Sequence, residues 1–138
     1  MVLLGLEINV AKLGFKVIND TYGHQAGDYV LGRFCDCITQ SLRSYDFLGR
    51  YGGEEFIVCL PNTNLTEATK VAERMRWEVE QLEIVNDFLH ISITASFGVS
   101  HLNYMSQESL DSFISRTDGA MYNAKSKRNL VCKSEVHG

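Results

Sequence analysis

The chain has 138 residues and a formal net charge of −4, with 45% hydrophobic residues. This length accommodates one domain with a substantial core, and the acidic balance argues against a nucleic-acid-binding surface, which normally carries a basic stripe. The four cysteines form no CxxC pair and follow no secretory signal, a pattern typical of reduced thiols in the cytoplasm. The apolar opening Val2–Leu6 is too short to span a bilayer. We therefore expect one domain over residues 1–138, excised from a longer protein.

The first half of the chain alternates between strand-like and helix-like segments. Val2–Val10 is rich in Leu and β-branched residues and predicts a buried strand. A short helical pattern at Phe15–Ile18 leads into turn-forming residues at 19–24. A longer helix is predicted from about Ala26. Its apolar positions at helical spacing are Leu31, Phe34, Cys35, Ile38 and Leu42.

A Gly-Gly pair separates the next two β-like runs. Gly52-Gly53 predicts a hairpin, because glycine adopts the φ > 0 conformations of tight turns. Glu54 and Glu55 follow directly. Since hard divalent cations take carboxylate oxygens and glycine lets a triphosphate approach the backbone, this tip suits a phosphate-and-metal site. The alternative is a solvated hairpin tip whose charges discourage aggregation.

The second half predicts two helices and two strands. Asn64 with Glu67 is a capping-box-like helix start, and Phe88–His101 is the most strand-like run of the chain. A last helix is predicted over Ser106–Lys125, followed by a short edge strand at Leu130–Cys132. The predicted buried positions of the two helices are Val71, Met75, Val79 and Leu82 in one, and Leu110, Phe113, Ile114, Thr117, Met121 and Ala124 in the other.

The element order β-α-α-β-β-α-β-α-β predicts an α/β fold of the α+β sandwich-like kind. We expect a single central, mostly antiparallel sheet of about five strands flanked by helices. No internal repeat or low-complexity segment interrupts the chain.

Five stretches in order resemble the GGDEF domain of the diguanylate cyclase family and cover nearly the whole chain. They are Phe15–His24, Gly27-Asp28, Arg50–Phe56, Ser96–Val99 and Asp118–Lys125. The resemblance implies a nucleotidyl-cyclase-like fold and a bacterial signalling reaction, in which two GTP molecules condense to cyclic di-GMP with loss of two pyrophosphates. It also implies a homodimer for catalysis, other domains in the parent protein and a cytoplasmic location, with a tether to a membrane sensor as one arrangement.

The resemblance assigns the catalytic and triphosphate-binding residues. Glu54 would be a metal ligand for Mg²⁺ or Mn²⁺, and Glu55 a second ligand or the group that deprotonates the attacking hydroxyl. The positions implied to bind the triphosphate are Lys16, Gly52, Gly53, Lys125 and Arg128, with Lys16 counted among the catalytic residues. A cation-rich helix end that complements the helix dipole is the alternative for the last two.

Two further positions match the family's guanine-recognising residues, Asn19 and Asp28. An ionised Asp accepts from guanine N1–H and N2–H₂, and an Asn amide can donate to O6 or N7. Adenine offers a different pattern of donors and acceptors, so the pair implies a preference for GTP. The alternative is that both are turn and helix-capping residues.

Arg43 and Asp46 form an RxxD motif five residues before the Gly-Gly pair. This spacing matches the family's inhibitory site, where cyclic di-GMP binds away from the catalytic centre. An Arg fork can pair with a phosphate or a guanine edge, and a carboxylate can accept from guanine N1 and N2. A second arginine from the following helix would complete the site, and both Arg74 and Arg76 are candidates.

The match fails at two places. An ungapped alignment puts Ala11 where the family has its first metal-binding Asp and Leu13 where it has the next. Glu7-Ile8-Asn9 resembles the missing triplet, with Glu7 or Asn9 as third ligand, but needs about four looped-out residues. The segment 124–129 is also one residue shorter than the family pattern. A catalytically weak or inactive domain that serves as a receptor for cyclic di-GMP or GTP is therefore the alternative function.

Overall fold

The computed structural model describes residues 2–10, 23–50, 55–86, 89–102, 107–127 and 131–133. The strands are β1 (Val2–Val10), β2 (Phe47–Arg50), β3 (Glu55–Leu60), β4 (Glu83–Asn86), β5 (Leu89–His101) and β6 (Val131–Lys133). The helices are α1 (His24–Thr39), α2 (Leu65–Gln81) and α3 (Leu110–Lys127). This mixed α/β architecture confirms the predicted fold class. The short helix predicted at Phe15–Ile18 lies outside the described residues.

The described strands form one sheet in the order β2-β3-β1-β5-β4, with β6 also paired to β5. Every pairing is antiparallel except the parallel contact of β6 with β5. β4 was absent from the predicted elements. It is only four residues long, and within it Ile84 is fully buried whereas Val85 is half exposed. Such a short alternation is too weak to distinguish from a loop, so only its pairing with β5 identifies it as a strand.

Two helices cover one face of the sheet. Phe34 of α1 packs against Phe56 of β3, with ring centroids 5.2 Å apart. Small residues of α2 (Ala68 and Ala72) are fully buried in the same cluster beside Met75. The other members of this core are Val30, Leu31, Ile38, Val58, Leu60, Val79, Ile84, Ile91, Ile93, Ala95, Phe97 and Val99.

The predicted helical stripes need corrections in each helix, and Cys35 and Ile114 are partly rather than fully buried. Val71 and Leu82 are only partly buried, because alanines form the part of α2 nearest the sheet. Leu42 lies beyond the end of α1 and is partly buried. Leu110 is 62% exposed, since it is the first residue of α3 and precedes the turns that contact the sheet. The predicted cap is confirmed: the Asn64 side chain accepts a hydrogen bond from the backbone N–H of Glu67 at 2.8 Å.

α3 packs on the opposite face of the sheet, directly over Gly98 of β5. A Cβ atom at Gly98 would lie 2.6 Å from the carbonyl oxygen of Thr117 and 2.7 Å from Cα of Met121, and nearer still to the Met121 nitrogen. All three are backbone atoms, so no rotamer change could relieve the contact. The absence of a side chain at Gly98 therefore sets how closely α3 approaches the sheet.

We predict that Gly98→Ala lowers the free energy of unfolding by at least about 2 kcal/mol, because overpacking against fixed backbone is costly. Gly119→Ala in α3 is the matched control, since a Cβ there meets no atom within 4 Å. It should stabilise the domain by roughly 0.5–1 kcal/mol through helix propensity. Urea denaturation of both variants measures the difference, and equal midpoints would contradict the close packing.

Candidate functional site

The predicted glycine-glycine turn connects two strands that pair as expected. β2 and β3 are antiparallel, and their last described pair is Arg50 with Phe56. Gly52, Gly53 and Glu54 lie outside the described residues. Glu55, the first residue of β3, is partly buried at the end of the sheet where that strand begins. We call this end the acidic edge. The acidic end of the hairpin thus borders directly on the core of the sheet.

The strand register places a second acidic residue next to Glu55. Glu55 pairs with Glu7 of β1, and Glu7 pairs on its other side with Ser96 of β5. Paired positions in neighbouring antiparallel strands have Cβ atoms about 5 Å apart. These three residues therefore form one row across the sheet, which we call the Glu55 row. Ala11, the alternative third position for metal binding, lies outside the described residues.

α3 runs toward the Glu55 row. Near its start, Phe113 packs against Cys59 of β3, and farther along, residues 117–121 lie over Gly98. Cys59 and Ser100 are both paired with the same residue of β1, and Gly98 is two residues closer than Ser100 to the Glu55 row. Lys125 follows Met121 by about one helical turn, so this direction carries the helix backbone toward the Glu55 row. The side chain of Lys125 and all of Arg128 are outside the described residues, as are Lys16 and Asn19.

A cavity of about 300 Å³ opens between α1 and the β2–β3 hairpin. This volume is at the lower limit for small-molecule pockets. Its lining residues are mostly apolar, and they are Leu31, Gly32, Cys35, Leu48, Arg50 and Phe56. Burial raises the pKa of the Cys35 thiol above its ordinary value, so the thiol lines the cavity in its neutral form.

Asp28 lies beside this cavity. It is exposed on α1, three residues before Leu31 and four before Gly32, and helical spacing puts all three on the same side of the helix. An acidic acceptor next to an apolar cavity suits a purine that presents N–H donors. Leu48 and Phe56 were absent from the predicted site, because only the pairing of β2 with β3 brings them opposite α1.

A metal centre is not complete within the described part of the chain. No three His, Cys, Asp or Glu side chains there come close enough together to hold an ion. The donors that fit a hard cation are Glu55 and its neighbour in the register, Glu7, together with Glu54, which lies outside the described residues. This donor set of carboxylates is the kind that Mg²⁺ and Mn²⁺ prefer.

The RxxD motif forms a turn closed by its own side chains. The backbone N–H of Arg43 donates to Asp46 Oδ2 at 2.8 Å, and the guanidinium donates to the same carboxylate through Nε at 3.0 Å and Nη2 at 3.1 Å. The Asp46 side chain is only 2% exposed, whereas that of Arg43 is 42% exposed. Hydrogen bonding to Asp46 raises the pKa of the Arg43 guanidinium above its ordinary value. The turn therefore presents Arg43, rather than Asp46, to solvent.

The two arginines of α2 differ in their distance from this turn. Arg74 Nη2 donates to the carbonyl oxygen of Ser41 at 3.4 Å, two residues before Arg43, and its side chain is 55% exposed. Arg74 also forms a long ion pair with Glu78 of its own helix, at 3.9 Å. Arg76 is held more closely by two glutamates of that helix, Glu73 at 2.9 Å and Glu80 at 3.0 Å, and is 21% exposed. The geometry thus brings Arg74, and not Arg76, toward the RxxD turn.

Sequence comparison identifies relatives of this chain. The sequence model of the family described as "Diguanylate cyclase, GGDEF domain" matches residues 8–130. Diguanylate cyclase A of Treponema denticola is 48% identical over 122 residues, which is 88% of this chain and 33% of that protein. Escherichia coli diguanylate cyclase DgcZ is 40% identical over 86% of this chain and 39% of its own length. The chain therefore spans between about a third and two fifths of these curated relatives.

Structure comparison finds the same fold. The active GGEEF domain of a diguanylate cyclase from Vibrio cholerae superimposes with a TM-score of 0.77 at 30% identity, covering 99% of this chain and 85% of that one. The GGDEF domain of DgcB from Caulobacter crescentus, solved in complex with c-di-GMP, gives a TM-score of 0.77 at 28% identity, covering 98% and 78%. None of the described helices is long and apolar enough to cross a bilayer.

Proposed function

The chain belongs to the family of GGDEF diguanylate cyclase domains, and on that premise we propose that it condenses two GTP molecules to cyclic di-GMP and two pyrophosphates. Each copy would hold one GTP, so two copies must face each other for the reaction. The single observation that carries the proposal is the pairing of Glu7 with Glu55. This pairing brings a second acidic residue to the position of Glu55. The ungapped alignment, in contrast, has Ala11 at the position of the family's metal-binding Asp.

Glu54, Glu55 and Glu7 are the residues proposed to hold the metal. A bound Mg²⁺ or Mn²⁺ would offset the charge that develops on the phosphates and the pyrophosphate leaving group. Because the Glu7 and Glu55 positions adjoin, two like charges would lie close together. A bound cation would relieve that repulsion. The adjoining positions of the two glutamates therefore support a cation site at this edge. Glu54 or Glu55 would also accept the proton of the attacking 3′-hydroxyl as it bonds to the α-phosphorus.

The cavity between α1 and the hairpin is proposed to hold the guanine. Asp28 at its margin would accept from N1–H and N2–H₂, and Asn19 would pair with O6 or N7. The apolar lining, with Leu31 and Phe56, would cover the faces of the base and exclude water. Lys16, Lys125 and Arg128 would then neutralise the triphosphate. For Lys125, the course of α3 toward the Glu55 row supports this role.

A second, regulatory site is proposed at the RxxD turn. Arg43 and Arg74 would bind cyclic di-GMP there, because both are at least partly exposed and Arg74 reaches the carbonyl oxygen of Ser41, two residues before Arg43. The relative from Caulobacter crescentus is a GGDEF domain solved with c-di-GMP, which supports this ligand. Asp46, which is buried under Arg43, would act on the ligand only after that pair opens.

The alternative function is a receptor that binds cyclic di-GMP or GTP without turnover. The replacement of the family's metal-binding Asp by Ala11 in the ungapped alignment is the observation that favours it. Incubation of concentrated protein with GTP and Mg²⁺ or Mn²⁺, followed by chromatography, separates the two functions. Formation of cyclic di-GMP supports the cyclase, whereas binding without product supports the receptor. Other domains of the parent protein would control the pairing of two copies.

We predict that Asp28→Ala lowers GTP affinity about 10–100-fold and leaves ATP affinity unchanged, since a charged acceptor to guanine is lost. Competition binding with labelled GTP measures both. The matched control is Asp36→Ala, an exposed acid of the same helix two turns away, which should alter neither affinity. If ATP displaces labelled GTP from the wild-type protein as effectively as unlabelled GTP does, the assignment is contradicted.

Turnover tests which residue supplies the third carboxylate. We predict that Glu7→Gln abolishes cyclic di-GMP formation, because it removes the charge at nearly constant size, and that Ala11→Asp has no effect. Glu54→Gln should also abolish formation, with Mn²⁺ supporting wild-type turnover better than Mg²⁺. Faster turnover by Ala11→Asp, with Glu7→Gln still active, would favour the ungapped alignment instead.

For the regulatory site, we predict that Arg74→Ala weakens cyclic di-GMP binding about tenfold, and that Arg43→Ala weakens it by about 10–150-fold, as expected for charged hydrogen-bonding partners. Arg76→Ala is the matched control, since Arg76 is bound to Glu73 and Glu80, and should change affinity less than about twofold. Calorimetry on all three variants ranks them. A larger loss for Arg76→Ala than for Arg74→Ala would reverse the assignment.

A further inference from the structure

The RxxD turn is attached to the far end of the β2–β3 hairpin by one buried hydroxyl. Arg43 Nη2 donates to Thr63 Oγ1 at 2.6 Å, the shortest of its hydrogen bonds among the described residues, and to the carbonyl oxygen of Pro61 at 3.2 Å. Thr63 lies in the turn between β3 and α2 and is 6% exposed. The contact therefore spans twenty residues of sequence and joins the two outer ends of the hairpin.

The direction of these hydrogen bonds is fixed by the number of protons available. Thr63 Oγ1 also lies 3.0 Å from the carbonyl oxygen of Pro61, which can only accept. The single hydroxyl proton of Thr63 goes to Pro61, so its oxygen accepts from Arg43. Because Thr63 is buried, water has little access to replace either bond. The hydroxyl is thus a specific acceptor for one edge of the Arg43 guanidinium.

This arrangement leaves the rest of the guanidinium available. Asp46 occupies Nε and shares Nη2 with Thr63 and Pro61, and the guanidinium carbon lies 4.6 Å from the centre of the Tyr45 ring. No described residue hydrogen-bonds Nη1. With one edge held and one face stacked, the Nη1 side of the fork has a defined direction.

We propose that Thr63 is a positioning residue for the cyclic di-GMP site: it holds the Arg43 guanidinium in the orientation that receives the ligand. The inference rests on the regulatory site of the proposed function. Without the Thr63 hydroxyl, Asp46 and the longer bond to Pro61 at 3.2 Å would hold the guanidinium less firmly, and the cost of ordering it would fall on ligand binding. Thr63 contacts Arg43 and is only 6% exposed, so we expect it to change the affinity through Arg43 rather than through direct contact with the ligand.

The test compares three substitutions by calorimetry with cyclic di-GMP. Thr63→Val, which keeps the shape and removes the hydroxyl, should weaken binding about tenfold. Thr63→Ser restores the hydroxyl and should bind within about twofold of wild type. Thr69→Val is the matched control, because the Thr69 hydroxyl donates a hydrogen bond within α2 to the carbonyl oxygen of Leu65 at 2.7 Å. The affinity of this variant for cyclic di-GMP should equal that of the wild-type protein.

A second measurement separates positioning from folding. Circular dichroism spectra and unfolding midpoints show whether Thr63→Val is folded at the temperature of the titration, and Thr63→Ala serves as a replacement if it is not. If Thr63→Val binds cyclic di-GMP with the same affinity as the wild-type protein, the role of Thr63 is overturned, whereas the regulatory site is unaffected. Wild-type protein that binds no cyclic di-GMP would overturn the regulatory site and, with it, this inference. Equal weakening by Thr63→Ser and Thr63→Val would also overturn it.

Discussion

The register of β1 between β3 and β5 is the constraint on which the other features of this domain depend. Side chains alternate between the faces of a sheet, so a slip of one residue would exchange the two faces along the whole strand. In the observed register Gly5 pairs with both Ile57 and Gly98, and two positions farther along Glu7 pairs with Glu55. One set of backbone hydrogen bonds thus fixes both the surface under α3 and the acidic edge.

The close approach of α3 to the sheet links the core to the proposed chemistry. Contact at Gly98 brings the helix backbone against β5, and the same helix then extends toward the edge that carries Glu55. The position of Lys125 therefore depends on a glycine that is distant from it in sequence. On the other face, contact between Phe34 and Phe56 fixes α1 against the hairpin and leaves the cavity beside Asp28. In the proposed function, the face covered by α1 would bind the guanine of GTP, and the face covered by α3 would bind its triphosphate.

The RxxD turn combines a structural and a proposed regulatory role. Arg43 is paired with Asp46 and also holds the turn at Pro61 and Thr63, so it ties both outer ends of β2 and β3 together. A ligand bound to Arg43 while these bonds persist would lie at the base of the hairpin that leads to Glu54. Such a ligand would act on the catalytic edge through two short strands rather than through direct contact. The proposed regulatory site and the proposed catalytic site are thus connected by one hairpin.

The sequence by itself determined the family, the alternation of elements and most of the proposed site residues. These depend on local signals: Gly-Gly before two acids, the RxxD spacing, the Asn64 cap and the helical spacing of apolar residues. It could not decide between Glu7 and Ala11 or between Arg74 and Arg76, because each choice depends on which backbone lies beside which. Strand pairing brings Glu7 next to Glu55, and the packing of α2 brings Arg74 to Ser41. Likewise, no local pattern marks Thr63, since its role comes from a hydrogen bond to a residue twenty positions away that only the tertiary fold creates.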